Sequence, residues 1–149
     1  MALSADTPRR FAGGVDPQFL SLPCKSNVTI YEGSFVAEDS TNGTVKVYAS
    51  GDTVFWGVAH EQVINPSSGT KRCKIRSKGI IRMPVTGASG NTDNGVAVYM
   101  VDDGTLTLTS TTTVLQCGKV VRWVGANDNA SDGSTTCDVY FEGGPVRSI

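Results

Sequence analysis

The most constraining feature of this chain is a period of two that is never sustained for long. Short runs of alternating apolar and polar residues recur about every ten residues, each cut off by Gly, Asn, Asp or Pro. Val96–Thr109 is the clearest case. Two runs rich in β-branched residues flank Asp102-Asp103-Gly104, which reads as a β-hairpin. A three-residue loop with Gly104 in the left-handed region places Val101 opposite Thr105, Met100 opposite Leu106 and Val98 opposite Leu108. One face is then Val96, Val98, Met100, Leu106 and Leu108. The other carries Tyr99 and Val101 among threonines. A tighter Asp103-Gly104 turn would shift the register by one and exchange these faces.

The same pattern runs from Val28 onwards. Strands are expected at Val28–Tyr31, Ser34–Glu38, Thr44–Ala49, Val54–Ala59, Thr70–Ser77, Ile80–Val85, Cys117–Val124 and Cys137–Glu142. Val54–Ala59 is almost continuously apolar, so it should be covered on both faces. Gly57 within it signals a bulge or a close backbone approach. Gly79 separates two runs, and Pro84 belongs at a sheet edge or strand end. No window of helical length shows apolar spacing at i, i+3, i+4 and i+7. About ten short strands at this spacing predict an all-β domain, barrel-like or a sandwich.

Residues 1–26 differ. Pro8, Gly13, Gly14, Pro17 and Pro23 break regular structure, while Phe11, Phe19, Leu20 and Leu22 are apolar without a period. We read 1–26 as an extended N-terminal arm and 27–149 as the β domain. The arm's apolar residues are expected to be buried on a neighbouring subunit or a larger partner; an unstructured terminus is the simpler alternative.

Charge excludes several functions. Only 18% of residues are charged and the net charge is −1, so no global attraction to nucleic acid or an anionic membrane is indicated. No apolar run approaches the ~20 residues of a membrane span, and the N-terminal residues carry no secretion signal. Cys24, Cys73, Cys117 and Cys137 are widely spaced, and with His60 as the only histidine they form no zinc pattern. Free buried thiols are expected, with disulfides formed after cell lysis as the alternative. A nucleophilic triad would have to use His60, which sits at a strand end. The carboxylates fall mostly in turns, where Asp is ordinary. Asp128–Gly133 resembles a calcium loop but lacks its closing acid. No phosphate-binding glycine motif is present. No catalytic, cofactor or metal site is therefore expected.

One charged motif stands out, Lys71-Arg72-Cys73-Lys74-Ile75-Arg76-Ser77-Lys78. Alternation puts Arg72, Lys74, Arg76 and Lys78 on one face and Cys73 and Ile75 on the other. Such a stripe protects an edge strand from aggregation, docks on an acidic protein surface, or contacts nucleic acid. The last normally adds stacking aromatics, and none is interleaved here.

The ordered set Gly33-Ser34-Phe35-Val36-Ala37, Phe55-Trp56-Gly57-Val58-Ala59, the Asn-Pro-Ser-Ser-Gly loop at 65–69, Gly79-Ile80-Ile81-Arg82-Met83-Pro84-Val85, Asp93-Asn94-Gly95, Asp102-Asp103-Gly104-Thr105-Leu106-Thr107 and Cys117-Gly118-Lys119-Val120-Val121 resembles the small all-β capsid cement, or head decoration, proteins of tailed bacteriophages. The resemblance covers about residues 30–142. It implies a compact β domain, a homotrimer or other small oligomer at capsid symmetry axes, and a virion location on the outer capsid surface after assembly in the host cytoplasm. It implies the major capsid protein and the chain itself as partners, no nucleic acid or membrane, no cofactor and no catalysis. On this reading Phe11, Phe19 and Leu20 of the arm, with Arg72, Lys74 and Arg76 of the basic strand, are the expected capsid or inter-subunit contacts. A receptor- or glycan-binding module of a phage fibre or baseplate is the alternative; it needs Trp56 or Trp123 as an exposed platform. An enzyme would need His60 beside a thiol and an acid.

Overall fold

The computed structural model describes residues 2–39, 43–126 and 132–144. The Asp128 end of the calcium-like segment and the Ser40–Asn42 turn lie outside them. Twelve strands occur among the described residues: β1 (Arg10–Ala12), β2 (Gln18–Pro23), β3 (Val28–Ile30), β4 (Phe35–Asp39), β5 (Thr44–Val47), β6 (Phe55–Ala59), β7 (Val63–Asn65), β8 (Arg72–Thr86), β9 (Ala97–Met100), β10 (Leu106–Thr107), β11 (Leu115–Trp123) and β12 (Thr136–Glu142). The only helical element among them is a single 3-10 turn at Asn91–Asp93. The all-β expectation is met, in a compact barrel-like sheet.

The long strand β8 organises the sheet. From it, β12, β11, β9 and β10 follow in order, and β10 returns to β8 by a parallel pairing of Leu106 with Val85. That ring is closed. On the other side β6, β4 and β5 follow. They return through a bridge between Val45 and Cys24 to β2, which pairs with β8. The second ring is thus closed by one bridge and the Lys25 N–H to Val45 carbonyl bond of 2.9 Å. Closure removes the unpaired edges that an open sheet would expose.

Strict alternation along β8 feeds both rings. Cys73 and Ile75 enter a smaller core with Ile30, Val36, Val45, Ala59 and Val63. Ile81, Met83 and Val85 enter the larger core with Phe35, Phe55, Val98, Met100, Leu106 and Phe141. The separate pair β3–β7 contributes Ile30 and Val63 to the smaller core. β6 serves both cores, as its apolar run requires: Phe55 and Val58 turn to the larger one, Trp56 and Ala59 to the smaller. Gly57 marks the switch. The β4–β6 register shifts there, its φ is +141°, and a Cβ would overlap the Arg76 carbonyl oxygen of β8.

Four expectations are corrected. First, the basic strand is not an edge strand; it is the middle of the sheet, paired with β2 on one side and β6 on the other. Second, Gly79 does not divide two strands. It pairs with Phe141, and β8 runs through it and through Pro84. Pro84 is tolerated because its nitrogen faces away from β12, into the gap where β1 has ended at Arg82 and β10 has yet to begin at Val85. Third, the arm at 1–26 is not separate from the domain. Its strands β1 and β2 hydrogen-bond to β8 of the same chain, and Phe11 packs on Phe141 with ring centroids 6.2 Å apart. Fourth, the hairpin forms in the expected register, with Met100 opposite Leu106 and both buried, but Gly104 does not adopt a positive φ. Asp102 instead closes the loop by accepting the Gly104 N–H at 2.9 Å.

Candidate functional site

The basic stripe keeps the facing that alternation dictates. Arg72 and Lys74 are exposed, Arg76 and Lys78 half-buried, and Cys73 and Ile75 fully buried beneath them. Being held on both sides by ladder hydrogen bonds, this strand presents its cations from a rigid base. None of the four is ion-paired with a carboxylate among the described residues.

β2 completes the surface. It pairs Phe19 with Arg76, Ser21 with Lys74 and Pro23 with Arg72, so these side chains share the basic face. The Lys74 ammonium lies 5.1 Å from the Phe19 ring centre and the Arg76 guanidinium 5.8 Å from it. His60, exposed at the end of β6, meets the same ring edge-on at 5.1 Å. Arg76 also stacks 3.9 Å over Phe11, and it folds across Gly79, where a Cβ would press on the guanidinium. Its Nε is buried without a hydrogen-bond partner, and burial lowers its pKa. Cation–π contact takes the place of the missing acceptor. Arg72 is differently employed: it donates to the Ser21 carbonyl at 2.7 Å and the Ser21 hydroxyl at 3.2 Å, clamping β2 to β8.

Of the six expected contact residues, the structure gathers Phe11, Phe19, Lys74 and Arg76 into one cation–aromatic cluster, with Arg72 at its end. Phe11 is half-buried and committed to the larger core. Leu20 is not on this face. It pairs with Ile75 and lies at the exposed rim of the opposite one, 37% exposed. No aromatic is interleaved in the stripe itself; its rings come from β1 and β2, roughly 55–65 residues upstream along the chain, and strand pairing brings them in.

Two buried acids, Asp103 and Asp138, are structural nodes. Asp103 accepts from the Leu3 N–H at 3.0 Å and the Ser34 hydroxyl at 3.1 Å, and its carbonyl accepts from Phe35. Burial pushes its carboxyl pKa up, and these hydrogen bonds only partly offset that. Asp138 lies between Arg82 Nε at 2.7 Å and Arg122 Nε at 2.9 Å. Burial pushes its carboxyl up, but the two guanidiniums outweigh burial and hold it below the usual range. Asp132 joins the same network through Arg10 at 3.1 Å and Arg82 at 3.6 Å. A cleft of about 210 Å³ beside Arg10, Phe11, Ala12 and Arg82 therefore opens onto cations already neutralised.

The remaining candidates for chemistry do not converge. His60 contacts Phe19, while all four cysteines are buried free thiols. No group of three or more His, Cys, Asp or Glu among the described residues could hold a metal ion. Trp56 is half-buried against the smaller core. Trp123 is half-buried against the larger one, its indole N–H donating to the Ser134 carbonyl at 2.8 Å.

Comparison with protein-family models finds none that matches the chain, and no curated protein matches it.

Proposed function

We propose that this protein is a capsid decoration, or cement, protein that binds the outside of an expanded phage head, bridges capsomers and stabilises the shell. The resemblance of its ordered motifs to phage cement proteins motivates the reading. The observation that carries it is the unpaired cationic face of β8, rimmed by the exposed ring of Phe19. Cations without carboxylate partners, fixed on a strand held from both sides, suit docking on an acidic protein surface. Nucleic acid is less well matched. Phe19 is the one exposed ring of the cluster, whereas single-stranded nucleic acid is normally met by several stacking rings in succession.

The mechanism is mechanical. Subunits that bind only the expanded shell shift its equilibrium by mass action. A homotrimer at a capsid symmetry axis would multiply each weak contact by avidity. No substrate is transformed.

The test adds purified protein to undecorated expanded heads and follows co-sedimentation and the melting of the shell. Binding that raises the capsid melting temperature is expected. Lys74→Glu and Arg76→Glu together should weaken binding at least about tenfold. Retained binding in that variant would reject the basic face as the contact, and no binding by the parent protein would reject the function. Deleting residues 1–26 is a poor test of the same idea, because it removes two strands of the sheet along with the surface.

A further inference from the structure

We propose that Cys24 and Cys73 are an oxidisable dithiol, and that their disulfide locks the N-terminal strand β2 onto β8. Both side chains lie in the smaller core, close enough for each to perturb the titration of the other, while the Cys73 thiol donates to the Lys74 carbonyl at 3.6 Å. The backbone around them is already fixed in place. Leu22 pairs with Cys73, and the Cys24 N–H donates to the Lys71 carbonyl at 2.9 Å, so the two cysteines are diagonal neighbours on adjacent antiparallel strands. The buried amide of Asn65 holds both strands at this point. It donates to the Lys25 carbonyl at 2.8 Å and the Cys24 carbonyl at 3.3 Å, and accepts from the Lys71 N–H at 3.2 Å. Diagonal neighbours stand about 7–8 Å apart at Cα, with Cβ atoms closer, so closing the bond draws β2 slightly toward β8, to within about 7 Å.

The other two cysteines are too far apart to be joined to each other. Cys117 and Cys137 face one core from adjacent strands, but Cys137 pairs with Trp123, six residues further along β11 from Cys117. That is roughly 20 Å along a strand.

The pair is asymmetric in access: Cys24 is 5% exposed and Cys73 fully buried. Cys24 is therefore the sulfur that an oxidant reaches first. The oxidant is a peroxide, small enough to reach a side chain that is 5% exposed. The Cys24 thiolate attacks one oxygen of hydrogen peroxide, the O–O bond breaks, and a sulfenic acid forms. The departing hydroxide takes the proton that Cys24 gave up and leaves as water. Cys73 sulfur then attacks Cys24 sulfur; the S–S bond forms, the S–O bond breaks, and the hydroxyl leaves with the Cys73 proton as a second water. Two thiols lose two electrons and one peroxide becomes two waters.

The inference does not depend on capsid binding and is tested without it. Reduced, folded full-length protein is treated with hydrogen peroxide, alkylated after denaturation, and mapped as non-reduced peptides. The expected result is one linkage, Cys24 to Cys73, with Cys117 and Cys137 alkylated. The thermal midpoint should rise by about 10 °C, because the link closes a long loop in the unfolded chain, and dithiothreitol should reverse it. In Cys73→Ser, dimedone should trap Cys24 as the sulfenic acid, with no rise in midpoint. Alkylation of all four cysteines in the treated parent protein would overturn the proposal, as would a linkage through Cys117 or Cys137, or Cys24 halted as a sulfenic acid.

Discussion

Asp138 and Asp103 are both buried acids, yet their environments push their carboxyls in opposite directions, and the consequences for stability differ in sign. Asp138 has two guanidiniums within 3 Å, so its folded pKa is depressed. Such a group contributes stability that is present above about pH 4 and is lost as pH falls through the folded value. Asp138→Asn should therefore cost about 3 kcal/mol at neutral pH, because the mostly buried Arg82 loses its closest carboxylate and keeps the charge of Asp132 at 3.6 Å. Denaturant melts should show the deficit shrinking in acid. Arg122 is half exposed, and Arg122→Ala should cost no more than about 1 kcal/mol. Asp103 behaves oppositely. Its folded pKa is raised, so its contribution is present below the ordinary carboxylate range and is lost as pH rises through the folded value. Asn at 103 can still accept from Leu3 and can donate to Ser34. Asp103→Asn should then match the parent protein in acid and equal or exceed it at neutral pH. A neutral-pH loss as large as that of Asp138→Asn would contradict this account. Neither node was legible beforehand. Asp103 sits in a run of turn residues, and nothing local distinguishes it from Asp102; its partners Leu3 and Ser34 are brought to it only by the closed sheet.

At the scale of elements, period-two alternation decided most of what was readable. It located the main strands, the facing of the stripe on β8 and the two-sided burial of β6, because each of these depends on which residues point the same way. It could not find β1 and β2. Their residues do not alternate cleanly, and their strand character comes from the free edge of β8 that they cover. The same gap hid the aromatic half of the candidate site, since Phe11 and Phe19 reach Arg76 only through that pairing. Two consequences follow for these elements. β1 and β2 serve as cover for β8, so a chain lacking residues 1–23 should expose a long strand edge and the Leu22 side of the smaller core. It should melt lower and self-associate, measurable by thermal scans and light scattering. Gly57→Ala should cost at least about 2 kcal/mol, because its Cβ has no room beside the Arg76 backbone and its φ is unfavourable to a side chain. Gly43→Ala, whose added Cβ meets nothing within 4 Å although its φ is also positive, serves as the control that separates crowding from backbone strain.

At the scale of the whole molecule, two closed rings sharing one strand make a rigid body with few free edges, and a nearly neutral one, with a net charge of −1. Any adhesion driven by charge must then come from local asymmetry. The cationic face of β8 is that asymmetry, and the acids Asp103 and Asp138 cannot cancel it because they are buried elsewhere. On the proposed function, attachment to an expanded head through this face should weaken steeply with salt, since the Debye length falls from about 10 Å at 0.1 M to about 3 Å at 1 M. Contacts made by Phe19 should survive the same change, because burial of apolar area is not screened. Phe19→Ser and Lys74→Glu therefore separate the two contributions. The first should lower capsid occupancy equally at all salt concentrations, and the second should flatten the salt dependence. Co-sedimentation across a salt series reads both. Binding indifferent to salt in the parent protein would move the contact surface away from β8 and onto another face of the barrel.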